Sequence, residues 1–110
     1  MQRDDEFRLK HMLEAAEEAV SFIKGKSLDD FNNNRQLALA VLKDIEIIGE
    51  AANKVSKETQ LQHKNIPWAA IIGMRHRLIH TYFDINFEQV WKTTAEELPV
   101  LIQKLQTIVD

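Results

Sequence analysis

The fold is decided by residues 34–55, which read NRQLALAVLKDIEIIGEAANKV. Apolar side chains recur here at helical spacing and cover more than the stripe of about 100° that a surface helix buries. We therefore predict a helix from about Asn34 to Val55 that is buried on two sides, one facing the core of the monomer and the other a dimer interface. Gly49 lowers helix propensity by about 1 kcal/mol relative to alanine, so another backbone is expected to pack closely against it.

On the N-terminal side, a first helix is predicted over residues 4–24, because Asp4 or Asp5 is a suitable N-cap and Gly25 is a stop signal. Its apolar residues form one stripe at helical spacing. The next segment, residues 26–34, is polar and turn-rich, and Phe31 is expected to tuck back as an anchor. A polar loop over residues 56–65 follows the second helix.

On the C-terminal side, a third helix is predicted from Trp68, just after a proline, to about Tyr82. Asn86 with Gln89 three residues later resembles a capping box that opens a fourth helix. Pro99 either kinks that helix or starts a fifth. The sequence thus predicts an all-α, up-and-down bundle of four to five helices that forms a single domain over residues 1–110.

Composition excludes several classes of protein. The chain has no cysteine, which rules out a disulfide framework and a cysteine-based zinc site. It shows no secretory signal and no apolar run near the roughly 20 residues that span a bilayer, so we expect a cytoplasmic protein without membrane contact. The net charge of −3 argues against indiscriminate DNA binding. Basic residues cluster in the second half, where a local pocket would suit one phosphate.

Arg75 is the most informative residue of the third helix. At about 100° per residue it falls in the middle of the apolar face, with Ile71, Ile72 and Ile79 around it. An arginine cannot lose its charge, and burying that charge without a partner is costly. Arg75 could pair with a carboxylate inside the bundle, for which Asp44 is the candidate, or it could offer its planar fork to a phosphate in an interfacial cleft. The two roles are compatible.

Two histidines four residues apart, His76 and His80, flank the same face. Such a pair could ligate a metal, but Arg77 stands where a zincin has glutamate and no third ligand is evident, so no metal site and no cofactor are expected. A histidine close to an arginine suits acid–base work on a phosphodiester. Arg75 and His80 lie roughly 140° apart on the helix, so they could converge only through the long arginine side chain or across a dimer axis.

Arg75, His80 and Tyr82 form the pattern Arg-x4-His-x-Tyr, which resembles the motif of the HepT-like branch of the HEPN domains. The resemblance covers nearly the whole chain, because other segments stand in the order and spacing of that family. These segments are His11-Met-Leu-Glu-Ala, Phe22-Ile-Lys-Gly, Ile45-Glu-Ile-Ile-Gly-Glu-Ala-Ala52, Ile66-Pro-Trp68, Ile72-Gly-Met-Arg75 and Leu98-Pro99.

The resemblance implies a metal-independent endoribonuclease that is the toxin of a type VII-like toxin–antitoxin pair. It implies a homodimer in which the motif residues of two protomers meet in a cleft. Arg75 would stabilise charge on the phosphorane, His80 would be the general base or acid, and the 2′-hydroxyl of the RNA, a tRNA or mRNA, would attack. His76 and Arg77 are candidate supporting contacts to phosphate. Tyr82 would accept AMP from a minimal nucleotidyltransferase antitoxin, which would block the phosphate site.

Two positions depart from the family pattern. His76 stands where the family commonly has asparagine, and Thr81 stands where it often has an acidic residue. These departures leave a second interpretation open: a non-catalytic module that binds a nucleotide or a nucleotidyltransferase through the same cleft. A third interpretation is a purely structural dimerisation unit.

Overall fold

The computed structural model describes residues 1–79 and 84–109, and most of these residues are helical. In chain order the elements are α1 (Arg3–Ile23), α2 (Leu28–Asn32), α3 (Arg35–Lys54), α4 (Lys57–Gln62), α5 (Trp68–Ile72), α6 (Met74–Leu78), α7 (Phe87–Lys92), a π-helical segment (Thr93–Glu97) and α8 (Leu98–Gln106). Within these ranges the one β-pairing is a single antiparallel bridge between Ile79 and Ile85. The predicted all-α bundle is confirmed. In the same ranges, no helix is both long enough and apolar enough to cross a membrane.

The centre of the bundle is the pair of long helices α1 and α3, which run antiparallel. The start of α1 lies against the end of α3, because the Asp5 carboxylate accepts hydrogen bonds from the backbone N–H and hydroxyl of Ser56, at 2.9 and 2.6 Å, and from the hydroxyl of Thr59, at 2.6 Å. The apolar faces of α1 and α3 form the core together with side chains of α5, α6 and α8. Large buried apolar side chains of these helices include Leu9, Met12, Ile45, Ile48, Leu78, Leu98 and Leu105.

The prediction for α3 is confirmed in its bounds. Asn34 caps the helix by accepting a hydrogen bond from the Leu37 N–H at 3.0 Å. Burial on one side is complete, but the other side is only partly covered in the single chain: Ile47 is half-buried and Leu39 is 42% exposed. The expected dimer interface on this second side stays a prediction.

The connections hold more helix than their polar composition indicates. Gly25, with φ of +76°, ends α1 as predicted. Residues 26–34 contain the short helix α2, which opens with a capping box between Ser27 and Asp30. Phe31 on this helix is 1% exposed, so its predicted anchoring role is confirmed. Residues 56–65, expected as a loop, contain α4, whose N-cap is Ser56.

The predicted third helix, Trp68 to Tyr82, is wrong in two respects: it breaks at Gly73, and its helical backbone ends at Leu78. The backbone there has φ of −86° and ψ of 0°, which ends α5 and starts α6. Glycine is the residue that most weakens a helix after proline, so a break at this position is physically reasonable. The described part of the stretch ends in extended backbone at Ile79.

The C-terminal stretch changes its hydrogen-bonding pattern midway. The Asn86 side chain accepts a hydrogen bond from the Gln89 N–H at 3.0 Å, which confirms the predicted start of the helix. A π-helical segment then joins α7 to α8, and Pro99 lies in the first turn of α8. Proline lacks an N–H and its ring clashes with the carbonyl four residues earlier in an α-helix, so the wider π-helical turn accommodates it. The backbone stays helical from Lys92 through Leu98, so Pro99 lies at the start of the α-helical segment α8 without interrupting the helix, and the kink expected as one alternative stays a prediction.

Candidate active site

A surface pocket of about 160 Å³ lies where the middle of α3 meets the junction of α5 and α6. Both apolar and polar side chains line it: Ile45, Glu46, Gly49, Glu50, Asn53, Ile72 and Arg75. Its polar groups come from two different elements, and Arg75 is the only basic residue among them. The pocket therefore brings Arg75 of α6 next to polar side chains of α3.

The absence of a side chain at Gly49 brings these elements together. A Cβ atom built on Gly49 would lie 3.4 Å from the carbonyl oxygen of Ile71 and 3.7 Å from that of Ile72. The backbone of α5 thus rests directly on α3, which confirms the expectation that another backbone packs against this glycine. The contact sets the height of α6, and hence of Arg75, above α3.

Arg75 does not lie in the middle of an apolar face, so that prediction is wrong. Its side chain is 56% exposed. The positions of this stretch that are buried include Ile71, Met74 and Leu78, which centres the buried face on Met74 rather than on Arg75. The guanidinium lies at the edge of the buried face and opens onto the pocket.

The carboxylate that pairs with Arg75 is Glu46, with 3.1 Å between Arg75 Nε and Glu46 Oε1. The proposed pairing with Asp44 is wrong. Side chains two positions apart in a helix point in directions about 200° apart around its axis, so Asp44 and Glu46 point to opposite sides of α3. Glu46 points towards α6, whereas Asp44 points towards α1.

Asp44 instead forms a pair of carboxyl groups with Glu18 on α1. It is 3% exposed and lines a groove that His11, Glu14 and Ile47 also line. Burial, together with the hydrogen bond to Glu18 and the charge of that neighbour, raises the pKa of Asp44 to about 7. The Asp44 carboxyl therefore keeps its proton up to about neutral pH, and it belongs to the α1–α3 packing, not to the pocket of Arg75.

The other basic residues of α6 do not join this pocket. Arg77 lines a separate apolar groove of about 240 Å³ between α5 and α8, and its Nη2 lies 3.6 Å from Glu97 Oε1. His76 is exposed and does not line the Arg75 pocket. Supporting contacts from His76 and Arg77 to phosphate stay predictions.

His80 and Tyr82 lie outside the described residues, and so does Thr81. The chain on either side is held together, because Ile79 and Ile85 form the antiparallel bridge and the Asn86 N–H donates to the Leu78 carbonyl at 2.9 Å. The roles predicted for His80 and Tyr82 therefore stay predictions.

The feature that the sequence analysis missed is a polar stripe on α3. Glu46, Glu50 and Asn53 follow one another at spacings of four and three residues, which places them on one face of the helix. That spacing could have marked them as partners for Arg75. Together with the arginine they can bind and orient an anion, and Glu46 and Glu50 are the titratable carboxylates among the described lining residues, which include no histidine.

The described residues offer no metal centre of the usual kind. In residues 1–79 and 84–109, no three side chains of histidine, cysteine, aspartate or glutamate are arranged to hold a metal ion. The acidic pair of Asp44 and Glu18 lies on the opposite side of α3 from Arg75.

Comparison with known proteins identifies the family. The family model of ribonuclease HepT-like proteins matches residues 12–108. A protein of Caldanaerobacter subterraneus subsp. tengcongensis, named as an inferred RNase, is 38% identical over 91% of this chain and 89% of its own length. A probable ribonuclease HepT of Thermococcus cleftensis is 32% identical over 98% of each chain. No solved structure matches significantly. The chain therefore belongs to the ribonuclease HepT-like family.

Proposed function

We propose that this chain is the toxin of a type VII-like toxin–antitoxin pair and acts in the cytoplasm as a metal-independent endoribonuclease. One observation carries the proposal: in a chain of a ribonuclease family, the exposed guanidinium of Arg75 is held by a carboxylate at the edge of an open pocket. An arginine so placed has its charge available to a phosphodiester.

The chemistry follows from what the RNA itself supplies. The 2′-hydroxyl loses its proton to His80 and attacks the adjacent phosphorus, while the bond from phosphorus to the 5′-oxygen breaks and that oxygen takes up a proton. The products are a 2′,3′-cyclic phosphate and a 5′-hydroxyl. Arg75 stabilises the negative charge that develops on the phosphorane. DNA lacks the attacking hydroxyl and is not a substrate.

The site is proposed to be shared in a homodimer. Half-buried apolar side chains, Ile72 and Ile79, lie next to Arg75, and the second side of α3 is incompletely covered. A second protomer would bury this surface and could bring its histidine opposite Arg75. Two inactive variants, Arg75→Ala and His80→Ala, should then regain part of the activity when mixed, because half of the heterodimers' sites would be intact. Absence of any recovery in a verified heterodimer would place both residues in one protomer.

The primary test is incubation of the purified chain with total RNA, or with a tRNA or mRNA, in the presence of a chelator. We expect cleavage that Arg75→Ala and His80→Ala each abolish. Arg3→Ala and His11→Ala are matched controls, because both residues are exposed on α1 and neither belongs to the site. Unchanged RNA with wild-type protein would instead favour a non-catalytic module that binds a nucleotide or a nucleotidyltransferase.

Silencing is proposed to occur through transfer of AMP to Tyr82 by a minimal nucleotidyltransferase antitoxin. Added phosphate beside Arg75 would compete with RNA for the guanidinium. Tyr82 is the only tyrosine of the chain. Mass spectrometry after co-expression with the neighbouring gene should therefore show added AMP on the wild-type protein and none on Tyr82→Phe. Equal modification of both proteins would rule out Tyr82 as the acceptor.

A further inference from the structure

The pair Arg75–Glu46 joins a short element to a long one. Glu46 sits in the middle of the 20-residue helix α3, between the fully buried anchors Ile45 and Ile48, whereas Arg75 belongs to the five-residue helix α6. The carboxylate is therefore the better fixed partner, and its side chain is only 26% exposed. The arginine depends on this contact for its direction more than the glutamate does.

The contact uses one particular edge of the guanidinium. Glu46 Oε1 accepts from Arg75 Nε at 3.1 Å, and no other side chain of residues 1–79 and 84–109 forms a hydrogen bond with the edge formed by the two terminal nitrogens. A guanidinium presents five N–H donors in a rigid plane, so fixing Nε also fixes the direction of the terminal edge. That edge can donate two parallel hydrogen bonds to a phosphate.

We propose that Glu46 is a positioning residue, which holds the guanidinium of Arg75 by Nε so that its terminal edge meets the phosphate in the pocket; the inference rests on the proposed ribonuclease function. An exposed ion pair contributes little to stability, so its stabilising effect does not account for the pair. Glu46 acts through Arg75 and need not touch the RNA.

Two other roles for Glu46, as a competitor of phosphate or as a general base, would also fit the ion pair, and each predicts a different effect of its removal. If Glu46 competed with phosphate for Arg75, its removal would raise activity. If Glu46 acted directly as a base, its removal would eliminate a limb of the pH–rate profile. A positioning residue instead predicts lower activity with an unchanged pH profile, because arginine does not titrate in the working range.

The test compares Glu46→Gln with Glu88→Gln, which carries the same change of charge and removes a similar surface ion pair, that of Glu88 with Lys92 at 3.8 Å. With a short RNA as substrate, we expect kcat/KM of Glu46→Gln to fall about tenfold, the equivalent of one charge-assisted hydrogen bond, with most of the change in kcat. Glu88→Gln should match the wild type. Both should keep the wild-type melting temperature.

The dependence on Arg75 is tested in an Arg75→Lys background, which keeps the positive charge but lacks Nε. There, Glu46→Gln should have almost no further effect, because residues that act through one another are non-additive. A full second loss in this background, a rise in activity or a changed pH profile would each overturn the proposal.

A measurement that does not depend on RNA cleavage tests the positioning role of Glu46 separately from the proposed function. The Nε–H signal of Arg75 in a nitrogen–proton NMR spectrum, assigned by its loss in Arg75→Lys, should report a restrained guanidinium in the wild type and in Glu88→Gln. It should report a more mobile one in Glu46→Gln, whose amide oxygen can still accept from Nε but without the negative charge. Inactive wild-type protein with this pattern would refute the proposed function alone, whereas an equally mobile Nε–H in wild type and Glu46→Gln would refute the positioning role.

Discussion

Replacing Asp5 by alanine should destabilise the protein strongly, although the residue stands near the chain terminus. The carboxylate is 3% exposed and accepts three hydrogen bonds, two from Ser56 and one from Thr59, at 2.6 to 2.9 Å. Removing it leaves the buried Thr59 hydroxyl and the two half-buried donors of Ser56 without their acceptor. A typical hydrogen bond contributes about 1 kcal/mol, and one to a charged group contributes more. The expected loss in the free energy of unfolding is about 3–4 kcal/mol.

Urea denaturation followed by far-UV circular dichroism, at one fixed protein concentration, measures this loss. Asp4→Ala is the matched control, because Asp4 lies in the same first turn of α1 but is exposed. The control removes the same charge near the helix N-terminus and should lose less than about 1 kcal/mol. Equal losses in the two variants would refute the importance of the buried hydrogen bonds.

The same contact predicts a dependence on pH. Burial opposes ionisation of Asp5, but the hydrogen bonds from Ser56 and Thr59 outweigh it and hold the pKa of this carboxyl below its usual value. The stabilisation is therefore complete above the unfolded-state pKa of about 3.9 and is lost as the pH falls through the lowered pKa of the folded state. The difference between wild type and Asp5→Ala should narrow only in acid, and a constant difference down to low pH would contradict the argument.

The other predictions concern α3 and the anchor on α2. Because the folded-state pKa of Asp44 is raised to about 7, ionisation of this carboxyl lowers the free energy of unfolding of the wild type as the pH rises from about 4 to 7. Urea titrations at several pH values should show that Asp44→Asn lacks this fall and is more stable than the wild type at pH 8, by on the order of 1–2 kcal/mol. Gly49→Ala should gain up to about 1 kcal/mol from helix propensity, since its Cβ meets only an ordinary contact at 3.4 Å, whereas Gly49→Leu should displace α5 and lower both stability and cleavage. Phe31→Ala should lose about 3–4 kcal/mol, because the ring is 1% exposed and packs 5.5 Å from the ring of Trp91; a smaller loss would mean that α2 is not anchored by it.

The long helices could be predicted from the sequence because their signals are local. The apolar spacing of α1 and α3, the cap at Asn34 and the stop at Gly25 each depend on neighbours within one or two turns. The same holds for the cap at Asn86. Arg75 could be singled out because a charge among apolar residues at helical spacing is visible in the sequence, although its predicted place in the middle of the apolar face is wrong.

The partner of Arg75 could not be predicted, because it depends on how one helix is rotated against another. Asp44 and Glu46 differ by two residues and by about half a turn, so an error in the phase of α3 exchanges one carboxylate for the other. The break at Gly73 added to that error by shifting the buried face towards Met74. Such information lies in tertiary packing, which periodicity within one segment does not contain.

The π-helical turn between α7 and α8 also bears on how this chain can vary in length. Val90 and Leu98, both buried, are eight residues apart, whereas two turns of an α-helix take about 7.2 residues. The turn thus holds one residue in excess, and deleting the exposed Ala95 would leave an ordinary helix with both side chains still facing inward. Pro99 would then meet the carbonyl of the preceding turn. We therefore expect the extra residue of the π-helical turn and Pro99 to occur together, so that homologues without the extra residue also lack the proline.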